Sequence, residues 1–113
     1  MERLHVGTRM SQAVIHNNTV YFAGQVGEPG DSVADQTRQI LRKIDGLLVE
    51  SGSSKSQLLS VSIWLSSISY FDEMNGVWDS WIDGWQAPAR ATCEARLSSP
   101  DYKVEFIVTA ACG

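Results

Sequence analysis

Residues 32–51 read SVADQTRQILRKIDGLLVES. Val33, Thr37, Ile40, Leu41, Ile44, Leu47 and Leu48 recur at the spacing of one face of an α-helix. Asp35, Gln36, Arg38, Gln39, Arg42, Lys43 and Glu50 fall mainly on the other side. Asp31 or Ser32 can cap the start, and Gly52 suits the stop. The spacing predicts an amphipathic helix over 32–51, and its apolar stripe needs a second layer to pack against.

The flanking segments supply that layer. Ahead of the helix, residues 27–32 (Gly-Glu-Pro-Gly-Asp-Ser) form a loop signal. Before the loop, Ser11–His16 and Thr19–Ala23 read as strands around Asn17-Asn18, a pair that tolerates the left-handed angles of a tight hairpin. A short first strand fits Arg3–Val6. After the helix, residues 58–66 alternate, with Leu59, Val61, Ile63 and Leu65 against Ser60, Ser62 and Trp64.

Residues 70–83 carry Phe71, Met74, Trp78 and Trp81 at helical spacing, with Trp85 just past the end and Gly84 as a stop. Ser69 is a candidate cap, and Asp72 and Glu73 sit in the first turn, where the helix dipole favours anions. Residues 89–97 alternate again, Arg90, Thr92, Glu94 and Arg96 facing one way and Ala91, Cys93, Ala95 and Leu97 the other. A turn at 98–101 leads to a last strand at 103–111.

The order ββ–α–β–α–ββ predicts an α+β domain over residues 1–113, a mixed β-sheet with two helices on one face. The other face then stands bare. It would carry Trp64 and one side of a final strand that is apolar on both sides, with Val104, Phe106 and Val108 on one and Ile107 and Ala111 on the other. A bare face of that content is an exposed apolar patch, so packing against further copies is expected.

Composition narrows the partners. The chain has 113 residues, 9 basic and 13 acidic side chains and a net charge of −4. Only Arg42-Lys43 are adjacent bases, and the pI is about 5.0. A nucleic-acid partner, which calls for a basic stripe, is not expected. Cys93 and Cys112 are too few for a disulfide framework, Met1 to Met10 lacks the apolar run of a signal peptide, and no segment approaches a membrane span. A cytoplasmic protein with no membrane partner is the expectation.

No phosphate loop, CxxC, HExxH or G-x-S-x-G elbow occurs. His5 and His16 fall on separate strands, so neither a metal nor a cofactor is expected. Trp78, Trp81 and Trp85 at helical spacing read as core rather than as a base-stacking platform. Arg90 and Glu105 stand apart, because each is a charge on a strand among small or apolar neighbours. Such charges are uncommon unless paired or working. An ion pair, a solvated strand face shared with Glu94 and Arg96, and a functional pair all remain open on pattern alone.

Five segments in order resemble the RidA (YjgF) family, in its YoaB-like branch. They are residues 18–26 (Asn-Thr-Val-Tyr-Phe-Ala-Gly-Gln-Val), the helix at 32–51, residues 71–78 (Phe-Asp-Glu-Met-Asn-Gly-Val-Trp), Pro88-Ala89-Arg90-Ala91-Thr92, and Lys103-Val104-Glu105-Phe106. The resemblance covers residues 8–112. It implies a chorismate-mutase-like fold and a homotrimer whose sheets form a central barrel, with pockets between subunits. The implied activity is hydrolytic deamination of small reactive imines and enamines to 2-keto acids and ammonia, without a cofactor. The substrates implied are 2-imino acids such as those from 2-aminoacrylate.

By the same resemblance Arg90 anchors the substrate carboxylate and Glu105 handles the hydrolytic water. Thr92 stands where many members have Cys, a position that acts largely through its backbone. Gly24 and Phe71 match pocket walls, and Asn75 matches an Asn near the interface. Ala23 replaces a Ser and Met10 a Tyr of many members, each change removing a hydroxyl. That leaves a non-catalytic module that binds or senses small carboxylates, such as 2-keto acids, as the alternative.

Overall fold

The computed structural model describes residues 1–113. Strands β1 (Glu2–Val6), β2 (Ser11–His16), β3 (Thr19–Phe22) and β4 (Gln25–Val26) precede helix α1 (Val33–Glu50). Then come β5 (Leu58–Leu65), α2 (Phe71–Ile82), β6 (Ala89–Glu94) and β7 (Val104–Ala111). One sheet runs β1-β2-β3-β7-β5-β6, with β4 also on β7. Only β5 and β6 are parallel, joined by the α2 crossover.

Both helices pack on one side of the sheet, as the periodicity predicts. Ile40, Leu41, Ile44, Leu47 and Leu48 of α1 and Met74 and Trp78 of α2 share a core with Val61, Ile63 and Leu65 of β5 and Val104, Phe106 and Val108 of β7. The molecule measures 38 × 37 × 19 Å, a slab two layers deep. On its bare face Tyr21 is 50% and Trp64 39% exposed.

Local chemistry sets the boundaries. Ser32 caps α1 by accepting from the Asp35 N–H, and Gly52 follows with φ 73°. Asn17 and Asn18 take φ of 50° and 59°, both left-handed as a two-residue hairpin requires.

Five expectations give way. Leu59 is 48% exposed and Leu58 buried, because a register shift between Leu58 and Ser60 turns the strand start by one place. The strand expected over 89–97 ends at Glu94, so Arg96 shares no strand face with Arg90. The helix expected at 70–83 spans 71–82, and Ser67, not Ser69, accepts the capping bond ahead of it. Trp85, read with Trp78 and Trp81 as core, is 49% exposed, since Gly84 at φ 82° turns the chain away past the helix end.

The fifth is Gln36, assigned to the polar side of α1 but fully buried. Its amide donates to the Asp31 and Asp101 carbonyls at 2.9 and 3.0 Å and accepts the Lys103 N–H at 3.0 Å. Three bonds offset its desolvation. They also fasten the start of α1 to the residues that lead into β7, the strand of Glu105.

Candidate functional site

Parallel pairing with β5 fixes which way β6 presents its side chains. Arg90 lies opposite Val61 and Thr92 opposite Ile63, both core residues, so this pair faces the helix layer. Ala91 and Cys93 face the bare side. α2 runs back over the edge and brings Phe71, Asn75 and Trp78, at positions i, i+4 and i+7, to one face.

Arg90 Nη1 donates to Asn75 Oδ1 at 2.7 Å. The guanidinium carbon stands 5.4 Å from the Trp78 ring and 5.9 Å from the Phe71 ring, within cation–π range. The ion pairs in the chain are His5–Glu50 and Arg38–Asp35. Arg90 is half-buried, held by a neutral amide and two rings, and makes no ion pair within its own chain. With Nη1 occupied, the Nε–Nη2 edge is left to receive a carboxylate through two parallel bonds.

Thr92 adds an anomaly beside this guanidinium. Its Oγ1 is buried without a hydrogen-bond partner. An orphan hydroxyl costs free energy that an isosteric methyl does not. Thr92→Val is expected to stabilise the fold by about 1 kcal/mol, read as a raised urea midpoint at unchanged slope.

Glu105 belongs to a second cluster. It pairs with Trp64 of β5 and Val26 of β4, so its side chain rises from the bare face. β3 and β4 lie along β7 one after the other, interrupted at Ala23-Gly24. The Glu105 carboxylate fills the space where a side chain at 24 would begin, so a Cβ there would strike Glu105 Oε2. Burial alone raises the Glu105 carboxyl above its ordinary pKa.

Buried Gln25 holds the interruption open, donating to the Ala23 carbonyl at 3.0 Å and to Gln12 Oε1 at 2.9 Å. Ala23 donates to the Gln12 carbonyl at 2.9 Å. The β2–β3 register, continued outward, sets Ser11 level with Gly24 and puts Met10, 55% exposed, next to it.

The sequence-derived residues thus form two groups. Arg90, Asn75, Phe71 and Thr92 gather on the helix side at the β6 edge. Glu105 and Gly24 meet on the bare side along β7, with Ala23 just before Gly24 and Met10 farther out in the β1–β2 connection. Strand β5 separates them, and they face opposite ways. An Arg90–Glu105 ion pair within one chain is thereby excluded. Trp78, read from sequence as core alone, both packs in the core and backs the guanidinium. Its place three residues after Asn75 was the available signal. No group of three or more His, Cys, Asp or Glu side chains is placed to hold a metal.

The family model described as Endoribonuclease L-PSP matches residues 1–112. The chain belongs to the RidA/YjgF family. A RutC family protein of Haemophilus influenzae is 40% identical, over 99% of this chain and 98% of that protein. The RutC family protein YoaB of Escherichia coli is 39% identical over 96% of each. Among solved structures, a Neisseria meningitidis member of the YjgF protein family superposes with a TM-score of 0.95 at 39% identity, over 99% of this chain and 94% of that one. A Pseudomonas aeruginosa protein described as uncharacterized gives 0.95 at 44% identity, over 99% and 98%. The two helices on a mixed sheet are therefore the RidA/YjgF fold.

Proposed function

We propose that the chain hydrolyses small 2-imino acids to 2-keto acids and ammonia, in pockets formed where Arg90 of one copy meets Glu105 of the next in a homotrimer. The observation that carries this is the placing of an unpaired guanidinium and an unpaired carboxylate on opposite faces of one chain. Neither group is satisfied alone, and a second copy laid on the bare face brings the two kinds together. The apolar content of that face, Trp64 and Tyr21 included, supports the same assembly.

In this reading the substrate carboxylate docks on the Nε–Nη2 edge of Arg90. The imine carbon is electrophilic, and holding water beside it removes much of the entropic barrier. Glu105 accepts a proton as the water oxygen bonds to that carbon, and the C=N bond becomes C–N. That proton passes to nitrogen, giving a carbinolamine; Glu105 then takes the hydroxyl proton and hands it to the amino nitrogen, so the C–N bond breaks and ammonia leaves as the C=O bond forms.

The test is keto-acid release from imines generated in situ by an amino-acid oxidase, with molar mass from sedimentation. Acceleration over the spontaneous rate by a trimer supports the proposal, and a monomer without acceleration rejects it. Gly24→Ala probes the second cluster. The added methyl meets the flexible end of Glu105, so melting is expected to move little while kcat falls at least about tenfold.

Ala23 and Met10 favour one other reading, a carboxylate sensor. Both put apolar groups where many members carry hydroxyls, which would help manage a reacting water. Stabilisation by 2-keto acids together with absence of imine turnover would select it.

A further inference from the structure

A cavity of about 490 Å³ lies between α1 and α2 on the helical surface, apart from both clusters. Its size falls within the range of small-molecule pockets. Leu41, Val77 and Gly76 form the floor. Open space stands above Gly76, since a Cβ there would meet nothing within 4 Å.

The walls carry charge of both signs in separate places. Arg38 and Arg42 project from successive turns of α1. The Arg42 side chain makes no hydrogen bond or ion pair with its own chain, whereas Arg38 is tied to Asp35 at 2.8 Å. Glu73 is held at the groove by the bond it accepts from the Ala34 N–H at 2.8 Å. Asp45 is fixed by the Trp81 indole at 3.1 and 3.3 Å. Each acid keeps lone pairs free, because one N–H donor leaves a carboxylate with acceptor capacity.

A ligand of one sign would meet two opposed charges. A ligand with a carboxylate for Arg42, an ammonium for Asp45 or Glu73, and an apolar group for the floor meets each with its complement. We propose that this groove binds a free α-amino acid with an aliphatic side chain, in its zwitterionic form. The inference is independent of imine hydrolysis, since no groove residue belongs to either cluster. The groove nevertheless adjoins the anchor, because α2 presents Glu73, Gly76 and Val77 here and Phe71, Asn75 and Trp78 to Arg90.

The test follows the Trp81 indole N–H signal of the whole chain by NMR during titration with L-leucine. A saturable shift is expected. 4-Methyl-2-oxopentanoate, which lacks the ammonium, and isopentylamine, which lacks the carboxylate, should each bind at least about tenfold more weakly. Arg42→Gln should weaken leucine about tenfold, and Gly76→Leu, which improves helix propensity while filling the space, should abolish the shift. Arg90→Lys should leave leucine binding unchanged. No saturable shift, equal binding of the keto acid or amine, or retained binding in Gly76→Leu would overturn the proposal.

Discussion

Arg90→Lys is expected to lower kcat/KM for imine hydrolysis about a hundredfold while the assembly and its melting temperature stay close to wild type. The guanidinium offers a planar edge with two parallel donors, and an ammonium offers a point charge. Charge-assisted bonds contribute roughly 1.5–3 kcal/mol each, so the loss of one well-aligned bond, with the misplacement that follows, accounts for the fall. Positive charge is preserved, which separates geometry from electrostatics. The surroundings were never built on an ion pair: the partners are the Asn75 oxygen and the Trp78 and Phe71 rings. Stability should therefore change little. The check is keto-acid release over a range of imine concentrations, beside sedimentation of the same sample. Undiminished turnover would remove Arg90 from the anchor role.

Glu105→Gln should cost more, about two to four orders of magnitude in kcat, because an amide cannot accept the proton of the attacking water. Carboxylate binding at Arg90 should persist, visible as unchanged thermal stabilisation by a 2-keto acid. The wild-type profile carries a further signature. Burial raises the Glu105 carboxyl above its ordinary 4.5, and the ionised form is the base. Activity should therefore rise with pH through a limb above that value, and the limb should vanish in the amide variant. The stability effect has the opposite sign. An acid whose folded pKa is raised contributes its full stabilisation below the ordinary value and loses it as pH climbs through the raised one. Wild type should lose stability over that interval, and Glu105→Gln should not. Loss of both turnover and keto-acid binding would instead make Glu105 structural.

Helical periodicity carried most of the fold, because burying one stripe on each helix dictates a two-layer solution. Val33 to Leu48 of α1 and Met74 and Trp78 of α2 lie where their spacing puts them. Each failure has a physical cause. Gln25-Val26 is a two-residue strand, too short for any alternation to register. Gln36 looks like a surface residue because its three partners, Asp31, Asp101 and Lys103, come from a segment far along the chain and from a loop. Leu59 was displaced by a bulge that alternation cannot anticipate.

The candidate site was legible as a set of residues but not as a geometry. Arg90 and Glu105 stood out as charges on apolar strands, and the RidA/YjgF resemblance named their companions. That they turn to opposite sides depends on the register of β5 against both β6 and β7, a long-range property no local pattern carries. Trp78 was hidden for a different reason, since one side chain serves core and guanidinium at once.

Having its two charged groups on opposite sides makes the proposed pocket a shared possession. A copy lacking the arginine and a copy lacking the glutamate would each be barren among its own kind. Mingled in one ring, they would still create a junction where the two intact halves meet. Inheritance would then follow pairs of alleles rather than single ones, with partial rescue between complementary defects.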